Sequence, residues 1–555
     1  MSTSRRPSEI TPLLGDGDSS KVTEANTNTG SSAQWATSEQ ISIPPEERSP
    51  RRLYITLASV YVGVFLGALD GTIIATLSAP ISTSFNSLSL LSWLASAYLI
   101  ANAACQPLSG RLTDIFSRRR GLVVSNILFA AGNLICGLAT SQWTMIAGRA
   151  VAGVGGGGLM AISTFVASDL VPLRKRGIVQ GLGNVCFGTG AGLGGVFGGW
   201  VTDLWGWRVA FLAQVPLVLV SGILVWWVVD VPVKESDSDG SKLSRVDFLG
   251  SSTLLLALVL LLLGLNSGGN VLPWTHPLVL ACFPLSGVAL LAFIYVELYI
   301  ASEPVIPVRL LLNRTVAAAC LCNWFTTMVT FTVLFYMPIF FQVKGVSTTG
   351  AGLRMIPQSV GASFGSLGSG LIMNRTGKYK VLSVGLLISF CLGTGLLSTL
   401  SLYAPDGLCY IYLFLIGTGY GGMLTCTLLA VIAAVDHEHQ AVITSATYAF
   451  RSTGSSLGVT IASAVFQNLL GSCLNKKFAG QPGAEEEIQR IRDSFDELNN
   501  LPPGWEEGVR HSFATALKGV FVTAFGLAIL GAVCALFIKQ HILHNNLARR
   551  DSAPQ

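Results

Sequence analysis

The sequence predicts an all-α polytopic membrane protein with 14 transmembrane helices. Three observations carry that expectation. Of the 555 residues, 51% are hydrophobic and only 12% are charged, whereas an ordinary soluble domain carries about 25% charged residues. Apolar runs of about 20 residues recur along the chain, each long enough to cross a hydrocarbon core of roughly 30 Å. Lys and Arg gather in alternate loops between those runs, the asymmetry that orients helices in a bilayer. A large soluble enzyme is excluded. The net charge of +5 is modest and gives no reason to expect a nucleic-acid partner.

Taken in order, residues 1–52 are polar and rich in Ser, Thr, Pro and charge, and read as a disordered cytosolic tail. There is no cleavable signal peptide, so the first span serves as the insertion signal. Spans are expected near 54–76, 90–110, 121–140, 143–167, 177–200, 209–229, 247–266, 277–300, 316–341, 349–372, 381–401, 407–432, 442–468 and 514–538. With the N-terminus in the cytosol, the cytosolic loops hold GRLTDIFSRRRG (110–121), DLVPLRKRG (169–177), the charged segment 230–247, Arg309 with Arg314, and NRTGKYK (374–380). The opposite loops STSFNSLS (82–89), NSGGNVLPWTH (266–276) and SLYAPDG (401–407) contain no Lys or Arg. An even span count returns residues 541–555, with Arg549 and Arg550, to the cytosol as a second tail. One non-cytosolic loop is long, 471–513, and within it GAEEEIQRIRDSFDEL (483–498) places Ile488, Ile491, Phe495 and Leu498 on one side of a short helix.

Several patterns are weighed against plainer readings. The eleven cysteines fall mostly inside apolar runs and read as buried small hydrophobes; a Cys409–Cys473 bridge in an oxidising lumen is the alternative. DHEH (436–439) offers two His at a spacing that does not share a helix face, and reads as a solvated loop rather than a metal site. RAVAGVGGGG (149–158) contains a literal G-x-G-x-x-G at Gly153, Gly155 and Gly158. Both neighbours are membrane spans, not strands, so close helix packing is expected in place of dinucleotide binding. No paired-acid, triad or metal constellation supports an enzyme.

The intramembrane ionisable residues carry the functional reading, because a charge in the bilayer is costly and marks a pathway or relay by default. Asp70 sits in the middle of FLGALDGTIIATLSAPI (65–81), Arg149 lies inside the fourth span ahead of its glycine run, and Arg451 lies about ten residues into the thirteenth. A carboxylate there is neutral when desolvated and charged when wetted or beside a cation, so Asp70 is suited to carry a proton.

The motifs resemble those of the major facilitator superfamily, in particular its fourteen-span drug:H⁺ antiporter branch. LDGTIIATLSAPI resembles that branch's first-span signature. GRLTDIFSRRRG is similar to the superfamily's loop between spans two and three, with Gly110, Asp114 and Arg119 as gating candidates, and with Ile115 and Ser117 standing where a base and a glycine are common. GLGNVCFGTGAGLGGVFGGW (181–200) resembles the antiporter signature of span five at Gly190, Gly194, Gly195, Gly198 and Gly199, with Gly195 in place of the usual Pro. WGWRVAFLAQVP (205–216) and FYMPIFFQVKGVSTTGAGLRMIP (335–357) also look like that branch, and FRSTGSSLGV (450–459) looks closer still to fungal vacuolar basic amino acid transporters.

The resemblance implies the major facilitator fold: a six-helix half over 53–230, a linker and two extra central helices over 231–313, and a second six-helix half over 314–540. It implies proton coupling through Asp70 and Arg149, and a midplane substrate cavity to which Asp70, Tyr98, Gln106 and Arg451 are assigned. No cofactor is called for, the proton gradient being the energy source. EITPLLG (9–15) fits an acidic dileucine sorting signal through Glu9, Leu13 and Leu14, with a sorting adaptor as partner. The function expected is a monomeric antiporter that moves amino acids, basic ones (Lys, Arg, His) foremost, from cytosol into the vacuole. The alternatives are a plasma-membrane proton antiporter exporting drug-like cations or secondary metabolites, and a non-transporting nutrient sensor.

Overall fold

A computed structural model describes residues 50–85, 89–171, 173–231, 247–268, 272–301, 308–346, 348–435, 439–478, 484–493, 501 and 504–541. The dileucine residues Glu9, Leu13 and Leu14, residues 232–246 of the linker, positions 436–438 of DHEH, the loop residues Phe495 and Leu498, and the tail from 542 lie outside that set.

The described chain is helical, as lipid demands of segments that must satisfy every backbone polar group internally. In order the helices are α1 (Pro50–Phe85), α2 (Ser89–Phe116), α3 (Arg118–Gly137), α4 (Gln142–Leu170), α5 (Leu173–Trp205), α6 (Trp207–Leu212), α7 (Gln214–Val228), α8 (Phe248–Ser267) and α9 (Pro277–Tyr299). After these come α10 (Val308–Leu311), α11 (Arg314–Val343), α12 (Thr348–Leu353), α13 (Ile356–Thr376), α14 (Lys380–Ser398), α15 (Asp406–Ala433), α16 (Gln440–Phe478), α17 (Ala484–Asp493) and α18 (Glu506–Leu536).

Local chemistry sets several ends. Ser141, Asp247 and Asn313 accept from backbone amides of the first turn of α4, α8 and α11. Gly377, at φ 67°, terminates α13 in the left-handed conformation that a glycine tolerates. Gly206, at φ 85°, breaks the chain between α5 and α6; the expected sixth span is α6 followed by α7, interrupted at Ala213.

Among the described residues, 11 helices are long and apolar enough to cross a membrane, against the 14 expected. The long helices α2, α5 and α13 stand at the places of the second, fifth and tenth expected spans but fall outside that set. Glycine, Ser, Asn and Gln dilute their apolar character, and they are the helices that bury polar faces against neighbours: α2 on α4 and α16, α5 on α1 and α13, α13 on α15.

Helices α1–α7 pack on one another, and so do α11–α18; α8 and α9 form a pair, with α8 resting on α2 and α16. The two groups meet along α5–α13 and α2–α16. Glycines make these approaches possible, since small residues let backbones come close in lipid. On α5, a Cβ at Gly190 or Gly194 would strike Phe65 or Leu69 of α1, while one at Gly177 or Gly181 would press on Gly370 or Leu367 of α13. Gly198 is buried, and Gly195 and Gly199 are half-buried on the same helix.

The G-x-G-x-x-G lies in the middle of α4, far from any strand-to-helix turn. A Cβ at Gly153 would collide with the Tyr98 carbonyl on α2, and one at Gly155 with the Phe129 backbone on α3. These glycines therefore serve helix packing. All eleven cysteines are free, Cys409 and Cys473 included. The helix expected over 483–498 is seen as α17, whose Ile488 and Ile491 are buried with Phe478, Trp505 and Val509.

Ser117, between α2 and α3, has φ 142° and ψ 140°. That conformation is disfavoured for any residue with a Cβ, at a cost on the order of 1–3 kcal/mol, and it is the position where a glycine is usual in the motif it resembles. Ser117→Gly is expected to stabilise the protein by about 1 kcal/mol after the extra chain entropy of glycine is subtracted. A thermal or denaturant melt checks this; an unchanged or lowered midpoint would show that Ser117 is unstrained. Gly155→Leu is expected to separate α3 from α4 and abolish the monodisperse folded peak in size-exclusion chromatography.

Candidate functional site

Two features dominate the region where the helix groups meet. The first is a buried ion pair. Arg149 Nη1 on α4 lies 2.7 Å from Asp70 Oδ2 on α1, and both side chains are removed from solvent. Two further contacts hold the guanidinium, and a third bond fixes the ring that makes one of them. Its Nε donates to the Leu94 carbonyl at 3.2 Å, its plane sits 4.4 Å from the Tyr98 ring centroid, and the Tyr98 hydroxyl donates to the Gly67 carbonyl at 3.2 Å. The pair thus links α1, α2 and α4. Among the described residues Asp70 Oδ1 has no hydrogen-bond partner.

The second feature is a cavity enclosing about 990 Å³ of space, open mouth included, between α1, α2, α4 and α5 on one side and α11 and α16 on the other. Tyr98, Gln106 and Arg451, assigned to a cavity from sequence, line it. Asp70 does not. It is fully buried, and its neighbours Gly71 and Gly67, with Tyr98, form the wall in front of it. The reason is geometric: the α1 face that carries Asp70 turns towards α4, where Arg149 satisfies the carboxylate. Gln106 Nε2 donates to Asn102 Oδ1 at 2.6 Å, and Ser452 of α16 donates to the same oxygen at 3.2 Å, so the cavity floor spans both helix groups.

A polar chain that begins in the cavity lining, at Thr164, Gln180, Asn184 and Tyr448, joins the two groups. Thr164 Oγ1 and Tyr448 Oη lie 2.6 Å apart, and Gln180 Nε2 donates to Tyr448 Oη at 3.3 Å. Asn184 Nδ2 donates to Ser366 Oγ at 2.7 Å, and Ser366 Oγ lies 2.6 Å from Thr425 Oγ1. Further towards the end that carries the basic loops, Arg176 Nη1 donates to Gln440 Oε1 at 2.8 Å. These residues were not singled out from sequence. The signal was available: Gln180 and Asn184 stand i, i+4, and Tyr448 and Arg451 stand i, i+3, each pair on one helix face.

In the loop between α2 and α3 the structure places Arg118 and Arg119 in different roles. Arg118 is buried; its Nε lies 3.0 Å from Asp169 Oδ2 at the end of α4, and its Nη1 donates to Thr113 Oγ1 at 2.6 Å and to the Gly110 carbonyl at 3.3 Å. Arg119, the gating candidate, points to the end of α7 instead, where its Nε donates to the Val229 carbonyl and its Nη2 lies 3.9 Å from Asp230. The side chain of Asp114 lies outside the described residues. Arg118 with Asp169 ties the start of α3 to the end of α4, a pairing the sequence does not single out because three consecutive arginines are indistinguishable by spacing.

Comparison with known proteins places the chain in context. The profile of the Major Facilitator Superfamily matches residues 60–459. The chain is 38% identical over 514 residues to the multidrug resistance protein fnx1 of Schizosaccharomyces pombe, covering 92% of this chain and 97% of that one. It is 34% identical over 491 residues to the vacuolar membrane amino acid uptake transporter fnx2 of the same organism, covering 88% and 84%. It is 29% identical over 553 residues to vacuolar basic amino acid transporter 1 of Saccharomyces cerevisiae, covering 91% and 96%.

Removing one partner of a buried ion pair strands the other charge and costs about 3–5 kcal/mol. Asp70→Asn and Arg149→Gln are each expected to destabilise the protein on that scale, and the double variant to recover most of the loss because no charge remains unpaired. Thermal melts of the three purified variants check the coupling. Additive losses would show that the two residues do not act as a pair.

Proposed function

We propose that this chain, which belongs to the Major Facilitator Superfamily, is a proton-coupled antiporter that carries amino acids, basic ones foremost, from the cytosol into the vacuole. That it is a multi-pass membrane transporter and not an enzyme follows from the family; coupling, cargo and membrane are the proposal. The observation that carries it is the Asp70–Arg149 pair, fully buried directly behind the Tyr98 wall of the cavity. A carboxylate so placed exchanges one proton per cycle. Deprotonated, it holds α1 to α4 through Arg149; protonated, it releases that constraint, and the balance between the two arrangements shifts the side to which the cavity opens. A substrate that binds the two arrangements unequally then couples its own movement to the proton's.

Cargo and membrane rest on the relatives. Two of them are named as vacuolar amino acid transporters, and FRSTGSSLGV resembles the corresponding segment of the fungal basic amino acid group. In an acidic vacuole, protons leaving the lumen drive substrate inward. A second reading keeps the same fold and proton chemistry but exports drug-like compounds at the plasma membrane, and the relative named as a multidrug resistance protein favours it.

Vacuolar vesicles from cells with and without the protein distinguish these. ATP-dependent uptake of labelled Lys, Arg and His is expected to depend on the protein, to collapse with a protonophore, and to fall to the protein-free level in the charge-neutral Asp70→Asn, Arg149→Gln double variant. Uptake unchanged by deletion of the protein would remove the amino acid reading and leave the exporter to be tested by drug efflux at the cell surface.

A further inference from the structure

Arg451 stands apart among the described residues of the cavity. It is the one charged side chain in the lining, and no Asp or Glu lines the cavity with it. Its guanidinium carbon lies 5.4 Å from the ring centroid of Phe187 on α5 and 5.4 Å from that of Tyr448 on its own helix. Tyr420 and Tyr448 supply its polar surroundings through their hydroxyls. The contrast with Arg149 is chemical: Arg149 has Asp70 at 2.7 Å, while Arg451 has ring contacts and, among the described residues, no ion pair. An arginine held within a membrane bundle is costly without a counter-ion, and ring faces offset part of that cost. Its planar fork matches a carboxylate bidentately.

We infer that Arg451 is the anchor for a substrate carboxylate, so that the site selects carboxylate-bearing zwitterions and holds amino acids by the backbone end. This deepens the amino acid reading and rests on it. The lining gives a basic side chain no carboxylate to pair with. Its ammonium or guanidinium group meets neutral acceptors such as Asn102 and Asn184 and the ring faces of Tyr98 and Phe335. Two consequences follow. Cations that lack a carboxylate are poor ligands however basic they are. Neutral amino acids compete with basic ones, because the shared carboxylate supplies the anchoring contact.

The test is equilibrium binding of labelled lysine to the purified full-length protein, with unlabelled lysine, lysinamide and cadaverine as competitors. Lysinamide and cadaverine keep the side-chain charge and lack the carboxylate. They are expected to need at least about thirtyfold higher concentrations than lysine to displace the label, the low end of the cost of losing one partner of a hydrogen-bonded charge pair. Arg451→Gln is expected to weaken lysine and leave lysinamide unchanged, erasing the difference between them; Arg451→Lys, which keeps a charge but not the fork, is expected to fall between. Equal competition by lysine and lysinamide on the native protein overturns the inference, and needs no variant to fold. Retention of the native preference in a folded Arg451→Gln protein also overturns it, by leaving the side chain a purely packing role against Phe187. If no amino acid binds at all, the amino acid reading itself falls and the anchor with it, an outcome distinct from binding that ignores the carboxylate.

Discussion

A carboxylate and a guanidinium 2.7 Å apart in a fully buried site constrain much of the first helix group. Leaving either charge unpaired at that depth costs about 3–5 kcal/mol, because desolvation outweighs much of what neutral hydrogen bonds supply. So α1 must present Asp70 where α4 presents Arg149, and α2 must place Tyr98 against the guanidinium and the Leu94 carbonyl within its reach. Gly153 and Gly156 on α4 leave space for α2 to approach with that tyrosine. The Gly-rich stretch that follows Arg149 is thus the steric condition for the ion pair, which explains why the two occur together.

The same economy of side-chain volume governs the meeting of the two helix groups. Helix α5 touches α1 with one glycine face and α13 with another. Contacts of this kind have little side-chain interdigitation to resist sliding, so directional polar bonds determine the register: Asn184 to Ser366, Tyr448 to Thr164 and Gln180, Arg176 to Gln440. An interface that is smooth in shape and pinned by a few hydrogen bonds is well suited to two alternative arrangements, since each bond contributes only about 1 kcal/mol net. Several of those pins line the cavity, so occupancy and interface geometry share residues such as Tyr448.

Outside the bundle midplane, charge is used differently. Lys344, at the end of α11, and Arg354, just before α13, both pair with Asp406 at 2.7 and 2.9 Å, tying three helix ends together on the side opposite the basic loops. At the basic end, Tyr379 is buried between α14 and the end of α18. Its hydroxyl donates to the Lys539 carbonyl at 2.6 Å, and burial pushes its phenol up to about 12. These are fastenings within one helix group, and they leave the interface between groups free to move.

The fold class, the membrane setting and the identity of the costly charges were determined by the sequence itself. Hydrophobic runs must be long enough to cross lipid, and an ionisable residue within such a run is rare enough to declare itself, as Asp70, Arg149 and Arg451 did. The helix-packing role of Gly153, Gly155 and Gly158 was legible too, because the runs around them admit no strand. Tertiary structure alone decided which way those residues face. Spacing along one helix gives a face but not its neighbour, so Asp70 was assigned to a cavity from which the Arg149 contact withdraws it. Three adjacent arginines look alike until folding sends Arg118 to Asp169 and Arg119 to the end of α7. Helices α2, α5 and α13 are diluted by small and polar residues because they are buried against other helices, so apolar composition underrates the elements that build the site. Which polar side chains converge is a property of how helices distant in sequence pack, and that information is absent from any one of them.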